Sequence, residues 1–174
     1  MKFFAYDTPI FAKILTANIR IWDLLGHKIS NIEKDTDSRQ YYALNISLSN
    51  INIKFRVAKI TPTKTGQFVT FWKRSSIGPI APYDISDPFD LLVVNVLQND
   101  NLGQFVFSKS VLLEHNIISE NNKEGKRAMR VYAPWDIAEN KQSKDTAQWQ
   151  RSCFINISDL KTLDFAALKL LYKG

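Results

Sequence analysis

Ile51-Asn52-Ile53-Lys54-Phe55-Arg56-Val57-Ala58-Lys59-Ile60 reads as a strand, with apolar and polar residues alternating from Ile51 to Val57. Thr61-Pro62-Thr63-Lys64-Thr65-Gly66 follows as a turn, and Gln67 to Arg74 runs back. A period of two puts Ile51, Ile53, Phe55 and Val57 on one face of a strand and Asn52, Lys54, Arg56 and Ala58 on the other. Pro62 and Gly66 mark the reversal. The stretch is expected to form a hairpin with one core face and one basic face.

The charge around this hairpin is one-sided. Ser38 to Tyr83 contains no Asp or Glu, yet carries Arg39, Lys54, Arg56, Lys59, Lys64, Lys73 and Arg74. That is +7 in a chain whose net charge is +6, leaving −1 for everything else. Phe55, Phe68, Phe71 and Trp72 interleave with the cations. Lys and Arg neutralise phosphates and aromatic rings stack on bases, so this composition points to a polyanion-binding surface. The bland alternative is a sheet whose solvent face is merely basic, but with no acidic neighbours such a face repels itself.

The chain has 174 residues, 45% apolar and 23% charged, which suits one globular domain. A pI near 9.4 favours acidic partners. Cys153 is the only cysteine, so no internal disulfide or multi-cysteine zinc site can form. It sits in an apolar context and reads as buried. Met1 to Asp7 reaches an acid too soon for a signal peptide, and no apolar run approaches the length of a membrane span. A cytoplasmic protein that does not enter a membrane is expected.

Thr8-Pro9 opens a helix whose Ile10, Phe11, Ile14, Ile21, Trp22 and Leu25 recur at helical spacing up to Gly26. Residues 29–38 read as a polar connection. Tyr42 to Leu48 and Phe89 to Leu97 read as strands, the latter buried on both faces at Leu91 to Val94. After the turn Asn99-Asp100-Asn101, Gly103 to Phe107 returns. Lys109 to Asn116 suggests a short helix, Arg127 to Tyr132 a strand, Thr146 to Arg151 a helix, and Leu160 to Leu171 a last helix capped by Ser158. Gly66-Gln67-Phe68-Val69 recurs as Gly103-Gln104-Phe105-Val106, so two hairpins are built alike. The pattern is α+β: one domain over residues 1–174, with helices flanking a mostly antiparallel mixed sheet.

The string from Phe55 to Val69, continued by Trp72-Lys73-Arg74, resembles the MepB family, bacterial proteins named from a multidrug-efflux operon. So do Phe89-Asp90-Leu91-Leu92, Gly103 to Phe107 before Lys109, and Gly125-Lys126-Arg127-Ala128-Met129-Arg130-Val131-Tyr132. Pro134-Trp135-Asp136, Lys141-Gln142 and Gln148-Trp149-Gln150 complete the series, which is strongest over residues 37–154. The resemblance implies a cytoplasmic bacterial protein that binds nucleic acid, on a fold related to restriction-type nucleases. In the family an acidic-Ser-x-x-Tyr block precedes the first strand. Asp37-Ser38-Arg39-Gln40-Tyr41 is its counterpart, with Asp in place of Glu, and the shorter carboxylate weakens a metal-binding role for Asp37.

A restriction-type nuclease holds a carboxylate on one strand and a carboxylate and a lysine on the next. The acids bind a divalent metal that activates water. A turn at Asn99-Asp100 sets Asp90 nearly opposite Lys109, which makes them the candidate metal ligand and catalytic lysine. Mg²⁺ or Mn²⁺ is implied only under that reading; otherwise no cofactor is. Gln104 is a poor metal ligand, the Glu-x-Lys or Asp-x-Lys tripeptide is missing from this hairpin, and a plain surface ion pair is the bland alternative. Glycine-rich nucleotide loops do not occur.

The leading expectation is a protein that binds the backbone of DNA or RNA through Lys54, Lys59, Lys64, Lys73, Arg74, Lys126, Arg127 and Arg130, with Lys109 beside them. Trp72, Trp135 and Trp149 are the candidate stacking rings. The alternatives are a metal-dependent nuclease centred on Asp90 and Lys109, and a module that binds a protein or an acidic metabolite. His115 reads as a helix-end residue rather than a ligand, and the oligomeric state is left open.

Overall fold

The computed structural model describes residues 8–173, so the sequence reading of Met1 to Asp7 lies outside the described residues. A central sheet carries the molecule. It contains β1 (Ile29–Lys34), β2 (Leu44–Leu48), β3 (Ile51–Val57), β8 (Leu91–Gln98), β9 (Asn101–Ser108) and β11 (Phe154–Asn156), in the spatial order β1-β2-β3-β8-β9-β11. Every neighbouring pair is antiparallel except β3 and β8, which run parallel. The parallel pair needs a long crossover, and residues 58–90 supply it. The α+β class and the mostly antiparallel mixed sheet agree with the sequence reading.

One face of the sheet is covered by α1 (Pro9–Leu24) and α4 (Phe165–Leu171). Ile14, Ile21 and Trp22 of α1 and Leu168 of α4 pack on Ile46, Ile53, Phe55, Leu91 and Val93. Thr8 accepts the N–H of Phe11 and Pro9 follows at the first turn, as the sequence indicates. A buried polar chain ties the helices to the strands. Asn18 donates to Asn95 (2.7 Å), Tyr172 to Gln104 (2.5 Å) and Trp22 to Tyr172 (3.1 Å).

The other face is covered by a smaller sheet of order β10-β5-β4, made of β4 (Lys59–Thr61), β5 (Lys64–Thr70) and β10 (Ala128–Val131). With α2 (Lys109–Glu114) and α3 (Lys141–Gln150) it closes a second core on Leu92, Val94, Val96, Phe105 and Phe107. Alternate β8 residues thus enter opposite cores, which is why Leu91 to Val94 show no polar face. A short ribbon, β6 (Trp72–Lys73) with β7 (Ala81–Pro82), continues the crossover. No described helix is long and apolar enough to cross a membrane.

The run from Ile51 to Ile60 is not one strand. It leaves the central sheet at Ala58, whose N–H is held by the Asn95 carbonyl, and continues as β4 in the small sheet. The hairpin is therefore β4 with β5, while β3 pairs with β2 and β8. The expected basic face of β3 is open only at its start: Asn52 is exposed and Lys54 half-buried, whereas Arg56 and Ala58 are buried. Residues 29–34 are not a connection but the exposed edge strand β1, whose polar side chains hide its period. The last helix is capped by Asp164, and the Ser158 hydroxyl instead accepts the Leu102 N–H (2.8 Å). Helix α3 starts five residues earlier than its sequence suggests, at a reciprocal cap between Asn140 and Ser143.

Candidate nucleic-acid interface

Four of the seven cations in the acid-free run meet three carboxylates that flank it in sequence, two of the four sharing Asp35. Arg56 bonds Asp35 at 2.9 Å, and Lys54 lies 3.7 Å from the same oxygen while donating to Asn45 (2.7 Å). Lys73 grips both oxygens of Asp87 (2.6 and 2.7 Å), and Arg74 meets Asp37 at 3.2 Å while its guanidinium lies over Trp72. Asp35 and Asp37 precede the run and Asp87 follows it, so the fold closes the run on its own counter-ions. Burial pulls the Lys54 ammonium below its ordinary pKa, and Asp35 opposes that shift. Burial likewise pushes the Tyr83 hydroxyl, beneath the Lys54 ammonium, well above the usual phenol range.

Asp90 and Lys109 do sit at facing ends of β8 and β9, one step beyond the Leu91–Ser108 pair. Their polar atoms are engaged elsewhere. Asp90 accepts the Asn52 N–H through Oδ2 (2.7 Å) and so caps the start of the parallel ladder. Lys109 donates to the Asp87 carbonyl and lies over the Phe89 ring. Lys54 on β3 offers a second lysine to test against the same requirement. Asn45 stands opposite Lys54, and Asn52 precedes it by two residues. Neutral amides occupy both places where that chemistry needs carboxylates, and they are weak ligands for Mg²⁺ or Mn²⁺. Among the described residues no trio of His, Cys, Asp or Glu is placed to hold a metal. These donors do not fit a divalent ion.

A cleft of about 450 Å³ opens between the β4–β5 turn, strand β10, helix α3 and the chain just after α2. It gathers three cations from segments far apart in sequence: Lys64 in the turn, Lys126 before β10, and Arg130 on β10. Lys64 and Lys126 are exposed and form no ion pair with described residues. Glu139 is the one carboxylate among the lining residues. Arg130 serves the turn as well. It donates to the Gly66 carbonyl (3.1 Å) and the Thr61 hydroxyl (2.7 Å), and lies over Phe68. The fully buried Gln150 fastens α3 to β10 by bonding both the Arg130 carbonyl and the Tyr132 N–H at 2.9 Å.

The cleft also has an aromatic wall. Trp149 stacks on His115 with ring centroids 3.9 Å apart and planes 11° apart, and packs against Phe107 on the core side. His115 does end α2, as the sequence indicates, but its place in the cleft and that of Tyr132 arise only through the tertiary fold. Gly66 gives one local signal: with φ at +78° and no side chain, it leaves room for the Tyr132 ring.

The remaining expected residues are dispersed. Lys59 is exposed on edge strand β4, over the Tyr41 ring. Arg127 pairs with Glu124 at 2.7 Å. Trp72 is half-buried beneath Arg74, and Trp135 is half-buried against Phe154. Cys153 is buried, which raises its thiol pKa, so it is not a poised nucleophile.

The class is a single mixed α+β domain with a mostly antiparallel central sheet. The chain belongs to the MepB-like family, whose model matches residues 35–156. The crystal structure of MepB superposes with a TM-score of 0.72 at 30% identity, covering 80% of this chain and 95% of that one. A bacterial homing endonuclease also aligns, with a TM-score of 0.43 and 15% identity over 78% of this chain and 84% of its own, a likeness too slight to bear on this protein. No protein of curated function matches.

Proposed function

We propose that this protein binds nucleic acid through the phosphate backbone, and that the cleft formed by Lys64, Lys126 and Arg130 is its contact surface. The observation that carries the reading is the convergence of these three cations with a single carboxylate, Glu139, among the lining side chains. Lysines without counter-ions repel one another, and a polyanion relieves that repulsion while releasing its condensed cations. Lys59 extends the positive field along the edge of the small sheet. Lys54, Lys73 and Arg74 contribute less than the sequence suggests, because Lys73 and Arg74 are paired with Asp87 and Asp37, and Lys54 is half-buried and donates to Asn45.

Binding of this kind needs no metal, since lysine and arginine meet the phosphates directly. The test is binding of labelled DNA and RNA at low salt, with and without EDTA, by the native chain and by Lys64→Glu/Lys126→Glu. Binding by the native chain that survives EDTA and is lost in the double variant supports the reading. Equal binding by both proteins overturns it.

A further inference from the structure

We infer that the cleft takes a single strand, one base of which stacks beside His115 and extends the His115–Trp149 ring pair. This rests on the backbone-binding reading above and adds what the ligand must present. A surface that only neutralises phosphates needs no ring. Here two aromatic rings lie nearly parallel with centroids 3.9 Å apart, both only partly buried, in the same cleft as the three cations. Trp149 is backed by Phe107, so the stack is anchored in the second core and its surface is held in place before any ligand arrives. Pre-ordered rings of this type hold unstacked bases without regard to sequence, because every base has a π-face.

Size and access point the same way. A volume of about 450 Å³ is that of a pocket for one small molecule, the scale of a single nucleotide. In a duplex the bases stack on each other and offer only their edges in the grooves. An unpaired base has a free face, and its own phosphates would lie within reach of Lys64 and Lys126. The exposed Gln142 amide on α3 adds a polar group that can meet a base edge without selecting one.

Four labelled ligands of equal length separate the claims: single-stranded DNA, its duplex, a single strand lacking bases, and single-stranded RNA. Stacking of one base is worth about 1–3 kcal/mol, so the intact strand is expected to bind roughly 5- to 150-fold tighter than the abasic strand. The duplex should bind more weakly than either intact single strand, and RNA should retain the dependence on bases. His115→Ala should lower affinity for the intact strand toward that of the abasic one and leave the abasic strand unchanged. His115→Phe, which keeps a ring, should restore most of the loss. Equal, salt-sensitive binding of intact and abasic strands overturns this inference and leaves the backbone reading standing. Equal losses on both strands in His115→Ala also overturn it. If no strand binds at low salt, the backbone reading falls with it.

Discussion

The Asp35 carboxylate lies 2.9 Å from the guanidinium of Arg56, a side chain with no exposed surface. Arg56 also donates to its neighbouring carbonyl at Phe55, while its Nε has no partner. A buried arginine of this kind depends on its one counter-ion. Asp35→Ala is expected to cost about 3–5 kcal/mol, because it strands a charge in the core. Asp35→Ala combined with Arg56→Met should recover most of that, since the stranded charge goes too. Chemical denaturation of the two variants checks both statements, and a native-like Asp35→Ala would contradict them.

Alkaline pH should unfold the protein through its buried tyrosines. Burial raises the hydroxyl pKa of both Tyr83 and Tyr172 above the ordinary 10.0. A group whose folded pKa is raised contributes stability in full below its unfolded value and loses it as pH climbs toward the folded one. Stability should therefore hold up to about pH 10 and fall above it. Tyr172→Phe should flatten that fall, at the cost of the hydrogen bonds to Trp22 and Gln104. Tyrosinate absorbance and a tertiary-structure signal, followed in one titration, should change together.

Gly66 is expected to resist any substitution. A Cβ there would stand 2.7 Å from the Tyr132 ring and 2.9 Å from the Val131 carbonyl, on a backbone at φ +78°. Backbone strain of about 1–2 kcal/mol adds to overpacking of about 1–3 kcal/mol in Gly66→Ala. Because β5 pairs with β10 at this point, the turn bearing Lys64 should shift and weaken ligand binding as well. Melting and binding curves of one preparation check the coupling. A destabilised variant with native affinity would show that turn and cleft are independent.

Much of the fold was legible where residue pattern and burial coincide. Thr8-Pro9, the doubly buried Leu91 to Val94 and the Asn99 turn mark their elements through local rules that the fold obeys. Edge strand β1 was not legible, because a strand exposed on both faces has no period. The basic face of β3 misled for a different reason. Its alternation is real, but alternation cannot tell water from a protein cover, and Arg56 is buried against Asp35 and beside the Phe71 ring. Counting charge along the chain failed in the same way, since Asp35, Asp37 and Asp87 lie just outside the acid-free run and fold back on it. The cleft was legible in part: Lys64, Lys126, Arg130 and Trp149 were expected as ligand contacts, but their meeting place and His115 arise from packing over long sequence separations.

The slope of affinity against salt tests the central claim most directly. Binding of a labelled oligonucleotide should be measured over a salt series for the native chain, for Lys64→Glu/Lys126→Glu and for Arg74→Gln. Each phosphate contact contributes about 0.7–0.9 to the slope of log affinity against log salt. The double variant should lose roughly two contacts' worth of slope and most of its affinity at low salt. Arg74→Gln, which removes a charge already matched by Asp37, should stay close to native. An unchanged slope in the double variant, with the loss falling on Arg74→Gln instead, would contradict the account and place the nucleic-acid surface on the crossover ribbon.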